Sequence, residues 1–93
     1  MRIQMIKFGK LLNSRPAGRE AGLRVVQIVN GSAEQEDIIL DFSGVEILTP
    51  SYADEFLHLL WDKYSNKKVK IENAQTTTVT DSLKAIKGEP VHK

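Results

Sequence analysis

The sequence contains no cysteine. That absence excludes disulfides, thiolate metal sites and a cysteine nucleophile, and it fits a reducing cytosol. Long apolar runs are missing too. Nothing approaches the roughly 20 residues of a membrane span. The opening MRIQMIKFGK also lacks the continuous apolar stretch of a signal peptide. A cytoplasmic protein with no membrane partner is expected. Histidine is limited to His58 and His92. Neither has a serine and an acid at a recognisable spacing, so a hydrolytic triad is unsupported. No acidic pair has the spacing of a metal centre, and no nucleophile stands beside a base. The expectation is a non-enzymatic protein with no cofactor.

What is present suits a globular domain. The 93 residues are 41% hydrophobic and 27% charged. They make one domain over 1–93, with 88–93 expected to fray. A chain this short buries only roughly two-thirds of its unfolded surface, so its core must be economical. The net charge of +1 conceals three blocks. Residues 1–24 hold six Lys or Arg against one acid, and residues 25–62 hold eight acids and neither Lys nor Arg. Residues 63–93 hold seven Lys against three acids. So small a net charge argues against nucleic acid, although both terminal blocks are basic. The acidic middle block suits a basic partner surface.

Periodicity gives the elements. Residues 2–8 read as a strand in which Ile3 and Met5 alternate with Arg2 and Gln4, while Ile6 and Phe8 break phase. Residues 9–14 connect to a helix over 15–29 with Ala21, Val25, Ile28 and Val29 on one stripe. Ser14 is its cap, Pro16 fits its first turn, and Asn30-Gly31 ends it. Residues 37–42 (DIILDF) form a continuous apolar strand, as a central or twice-covered strand requires. After a connector over 43–48, a helix over 50–64 carries Ala53, Phe56, Leu57, Leu60 and Tyr64 on one face. A turn at 65–67 leads to the alternating strand 68–72 (KVKIE). A loop over 73–77 then leads to a helix over 79–87, with Val79, Leu83 and Ile86 buried, Thr78 and Asp81 as a capping box, and Gly88 and Pro90 as its stop. Strand–helix three times over implies an α/β fold with a small, mostly parallel or mixed sheet and three helices. Three helices are few for two sheet faces. The face with Arg2, Gln4, Lys68 and Lys70 is expected to stay open, where it would serve self-association as a homodimer.

The chemistry candidates cluster at the second helix's entrance. Thr49 and Ser51 present hydroxyls at a helix N-terminus, which favours anions, phosphoryl groups included. Thr80 stands near the start of the third helix. The alternative for all three is plain capping: Thr49 precedes Pro50, and Ser51 with Asp54 has capping-box spacing. Asp41, near the carboxyl end of the central strand, could join Glu46, Asp54 and Glu55 around a hard cation. It could equally cap the turn at Ser43-Gly44. His58 falls off the apolar stripe and is expected exposed. Arg15 and Arg19, one turn apart, could grip a phosphate or carboxylate or simply face solvent. Gly18 and Gly22, also one turn apart, each cost about 1 kcal/mol in a helix relative to alanine. Close packing against a neighbouring element is their expected benefit. Trp61 could anchor a partner, but half-buried core is the preferred reading.

The run DFSGVEILTPSYADEF over 41–56 resembles the signature of the bacterial STAS-like domain family, whose function is unassigned. That signature pairs a strand ending Asp-Phe-x-Gly-Val with a Ser-Phe/Tyr-Ala-Asp-Glu helix entrance. Asn13-Ser14-Arg15, followed by Ala17 and Ala21, resembles the family's Ser-Arg motif at the start of the first helix. The wider STAS superfamily includes anti-sigma factor antagonists, in which a serine at the corresponding Asp-Ser-Ser-Gly element is phosphorylated by a partner kinase. Here that position is Pro50, and the glycine is replaced by Tyr52. Thr49 or Ser51 would have to act as acceptor instead. The resemblance implies a STAS-like fold and a regulatory interaction module in signalling. Such a module would dock an ATP-binding, kinase-like protein through Glu46, Thr49, Ser51, Tyr52, Asp54 and Glu55. The alternative, from the residues, is small-ligand or nucleotide sensing at the carboxyl ends of the strands.

Overall fold

The structure, a computed structural model, describes residues 1–30, 37–64 and 68–87. Among these residues there are five short strands and three helices. β1 (Arg2–Gln4), β3 (Ile38–Asp41) and β5 (Val69–Glu72) form a parallel sheet in the order β1-β3-β5. β2 (Leu11–Leu12) and β4 (Ile47–Leu48) form a separate parallel pair. The helices are α1 (Arg15–Asn30), α2 (Pro50–Lys63) and α3 (Thr77–Lys87). The α/β fold, with its parallel sheet and three helices, is as expected.

Register sorts the main sheet into two faces. Ile3, Ile38, Leu40 and Val69 are buried and join the helices in one core. The opposite face carries the rows Arg2–Ile39–Lys70 and Gln4–Asp41–Glu72. Arg2, Gln4, Lys70 and Glu72 on it are exposed, so this face is open, as the helix count implies. Its charges neutralise one another: Arg2 reaches Asp41 at 2.7 Å and Glu72 at 2.6 Å.

The structure corrects several local readings. The first strand stops at Gln4 rather than running to Phe8. Met5–Phe8 coil into a 3-10 turn that buries Met5 completely and ends at Gly9, whose φ is 124°. The broken phase at Ile6 and Phe8 marks that coil. The connectors at 9–14 and 43–48 each hide a two-residue strand. On α1, Val26 is buried while Ile28 is 44% exposed. Thr78 does not open a capping box, because α3 already starts at Thr77. Its hydroxyl instead donates to the Glu46 carbonyl at 2.8 Å. The helix stops at Gly31, Gly88 and Pro90, the turn at 65–67 and the tail 88–93 lie outside the described residues.

Helices α1 and α2 pack most closely, and glycine is the reason. A Cβ on Gly18 would lie 2.5 Å from the Tyr52 carbonyl oxygen and 3.0 Å from its Cα. Gly22 is looser, with the Leu59 side chain 3.5 Å from such a Cβ. Helix α3 is fastened differently, through hydroxyls. Thr76 and Thr78 donate to the Glu46 carbonyl, and buried Ser82 donates to the Leu48 carbonyl at 2.5 Å. These bonds occupy the side of β4 that faces away from β2.

Candidate functional site

The loop from β3 to α2 is set by its own backbone chemistry. Asp41 Oδ1 accepts from the Ser43 amide at 2.9 Å, and the Val45 amide donates to the Phe42 carbonyl at 3.0 Å. Gly44 supplies a φ of 87°, which few side-chain-bearing residues tolerate. Phe42 and Val45 are buried and pin the loop from below. The chain then enters β4, where the Thr49 amide donates to the Leu12 carbonyl at 3.0 Å.

Thr49 is the α2 N-cap, its hydroxyl accepting from the Tyr52 amide at 3.4 Å with Pro50 in the first turn. Glu46, Ile47, Pro50 and Ser51 are exposed around that start. Ser51 and Asp54 do not form a capping box. The Asp54 carboxylate accepts from Arg15 at 2.7 Å and lies 2.7 Å from His58 Nδ1. Glu55 accepts from the same Arg15 nitrogen at 3.0 Å and stands 3.9 Å from Arg19. The Ser14-Arg15 start of α1 and the Asp54-Glu55 pair of α2 are therefore one network. Arg15, read as an anion gripper, already holds two carboxylates of its own chain. Ser14 caps α1, accepting from the Ala17 amide at 3.3 Å, with a positive φ of 86°.

Tyr52 is misplaced by the sequence reading. It belongs to the core, at 2% exposure, stacked on Phe56 with ring centroids 6.0 Å apart. Burial pushes its phenol pKa up to about 12. At that exposure it is not one of the side chains projecting from the α2 entrance. His58 is partly exposed and meets the half-buried Trp61 edge-on at 5.4 Å. Thr80 bonds back to the Thr76 and Thr77 carbonyls within the first turn of α3.

Asp41 sits at the carboxyl end of β3 but turns its oxygens to the chain itself. Asn73 donates to Oδ1 at 2.9 Å, the Ser43 amide donates to the same oxygen, and Arg2 takes Oδ2. Among the described residues no group of three or more His, Cys, Asp or Glu could hold a metal ion. The Asn73 bond, then the Ser43 amide and Arg2, hold the Asp41 carboxyl below its usual 3.8. A depressed carboxylate stabilises the fold above that usual value and loses its contribution as pH falls through the lower folded one. The stability difference between wild type and Asp41→Asn is therefore expected to be full at pH 7 and to shrink below about pH 3.8. Urea titrations across pH 2–7 read it directly, and a pH-independent difference would contradict the carboxylate's role.

Sequence reasoning did not single out Asn73, Ile47 or Ser82, and it gave Thr78 a capping role in place of its bond to the Glu46 carbonyl. Ser82 did carry a signal. It lies on the Val79–Leu83–Ile86 stripe, and a hydroxyl on a buried helix face needs a nearby acceptor. A profile of the family described as a STAS-like domain of unknown function (DUF4325) matches residues 21–79. The match takes in the β3–α2 signature and begins after Ser14-Arg15. No curated protein and no solved structure matches the chain.

Proposed function

The chain belongs to the STAS-like domain family, and we propose that it is a non-enzymatic regulatory module that docks a protein partner through the β4–α2 entrance. One observation carries the reading. Glu46, Ile47, Pro50 and Ser51 project from an entrance whose backbone is clamped on every side: by the Thr49 cap, by β2, by the α3 hydroxyls and by the Arg15 network. A pre-organised surface loses little conformational entropy on association. The entrance lies in the chain's acidic block, and among the described residues Glu46 forms no ion pair. The preferred partner is a basic surface on an ATP-binding, kinase-like protein. Asp54 and Glu55 contribute by holding the entrance in place.

Ser51, exposed beside the cap, is the phosphoryl acceptor in this reading. Thr49 is the lesser one, because its hydroxyl already serves as the cap. Glu46→Lys and Ser51→Lys should each reduce recovery of the partner at least tenfold while leaving the melting temperature within about 2 °C. Quantitative mass spectrometry of tagged wild type and variants measures that recovery and any phosphate on Ser51. Equal recovery from both variants would refute docking at this entrance. Self-association through the open sheet face is a separate contact, and light scattering at high concentration settles it.

A further inference from the structure

Four large apolar side chains stand in solvent: Leu11 at 61%, Leu23 and Ile28 at 44% each, and Ile47 at 41%. Two of them, Leu11 and Ile28, border a trough along α1. It consists of cavities of about 160 and 480 Å³ that share Phe8 and Arg24 in their walls. Leu11 and Tyr52 line the first, Lys7 and Ile28 the second. The 3-10 turn and β2 form one bank and the outer flank of α1 forms the other. From Ala17 to Ile28 the α1 bank runs about 16 Å, or three helical turns.

Among the described residues the cations differ in their pairing. Arg2, Arg15, Arg19 and Lys70 each pair with a carboxylate of the chain. Lys7, Lys10, Arg24, Lys63 and Lys84 are exposed, and among the described residues they form no ion pair. Of these, Lys7 and Arg24 stand in the trough's walls, where Glu20 is the one carboxylate. An apolar floor rimmed by cations left without intramolecular partners is complementary to an apolar segment that carries carboxylates. Nucleic acid fits less well. Two cations in the walls make a small phosphate footprint.

We propose that this trough docks an acidic amphipathic helix of a partner protein. Its aliphatic side chains would rest on Phe8, Leu11 and Ile28, and its carboxylates would meet Lys7 and Arg24. The trough's charge is opposite to that of the α2 entrance, so the two surfaces select partners of different chemistry.

A random 16-residue peptide library displayed on phage tests this, selected on wild type and counter-selected on Lys7→Glu/Arg24→Glu. Both changes are at exposed positions, and a thermal melt verifies that the double variant is folded; Arg24→Gln alone serves if it is not. The expected winners carry acids plus Leu or Ile at i, i+3/i+4 spacing and bind the variant at least tenfold more weakly. They should shift the amide resonances of Phe8, Leu11 and Ile28. Winners that are basic, that bind wild type and variant alike, or that shift only residues 46–51 would overturn the proposal. So would an absence of enrichment, or binding of a single-stranded oligonucleotide at the trough in preference to every peptide.

Discussion

Gly18→Ala is expected to destabilise the protein by about 2–3 kcal/mol, while the same change at Gly22 is expected to stabilise it by about 0.5–1 kcal/mol. The two glycines sit one turn apart on the same helix, and sequence alone treats them as equivalent. Their surroundings differ. A methyl on Gly18 would meet the carbonyl oxygen, Cα and carbonyl carbon of Tyr52 at 2.5, 3.0 and 3.1 Å. These are backbone atoms in the first turn of α2, so relief requires moving one helix against the other. A methyl on Gly22 would meet only Leu59 side-chain carbons at 3.5 Å or beyond, an ordinary contact. There the helix propensity of alanine is gained with little steric penalty. Thermal and urea melts of the two variants read both signs. A Gly18→Ala protein as stable as wild type would mean that α1 and α2 are not held this close.

The second large effect concerns Tyr52. Tyr52→Asp is expected to cost about 4–5 kcal/mol, a large share of a total stability on the order of 5–14 kcal/mol for a chain of this length, and so to lower the melting temperature steeply. The side chain lies at 2% exposure against Phe56, and its replacement would leave a carboxylate there without a partner. Tyr52→Phe keeps the ring and should remain folded near wild-type stability at pH 7. It should also remove part of the alkaline sensitivity. The buried phenol titrates at about 12 instead of 10, so the unfolded chain ionises first. Wild type therefore loses stability as pH rises from 10 towards 12, and Tyr52→Phe loses less. Circular dichroism at neutral pH and urea titrations at pH 9–11 separate the two variants. A folded Tyr52→Asp protein melting with wild type would show that the tyrosine is not enclosed.

Much of this architecture is legible in the sequence, because long periodic segments report their own burial. Ala53, Phe56, Leu57 and Leu60 repeat at helical spacing and are all buried on α2. KVKIE alternates, and β5 keeps one wet face. Two-residue strands such as Leu11–Leu12 and Ile47–Leu48 are too short to display a period. Tyr52 precedes Phe56 by one turn and so belongs to the α2 stripe, but beside a capping threonine it also reads as loop surface. Adjacent valines at 25 and 26 leave the phase of α1 ambiguous, and packing against α2 chose Val26 over Ile28. The network at the site was the least readable part. Arg15 meets Asp54 across 39 residues, and Asp41 meets Asn73 across 32. Neither separation is a local motif, so each residue looked like a free charge or a cap. What could be read was that these residue types crowd around two helix starts.

The hydroxyl bonds from Thr76, Thr78 and Ser82 to β4 have a consequence beyond holding α3. A strand of a small sheet left with bare carbonyls is a template for another chain's strand. Helix α3 closes that template with side chains, where a further strand would extend it with backbone. Losing the helix would uncover the Glu46 and Leu48 carbonyls on either side of the already exposed Ile47. The last helix of this small domain is thus a guard against polymerisation, and a chain ending before it would be prone to assemble edge to edge.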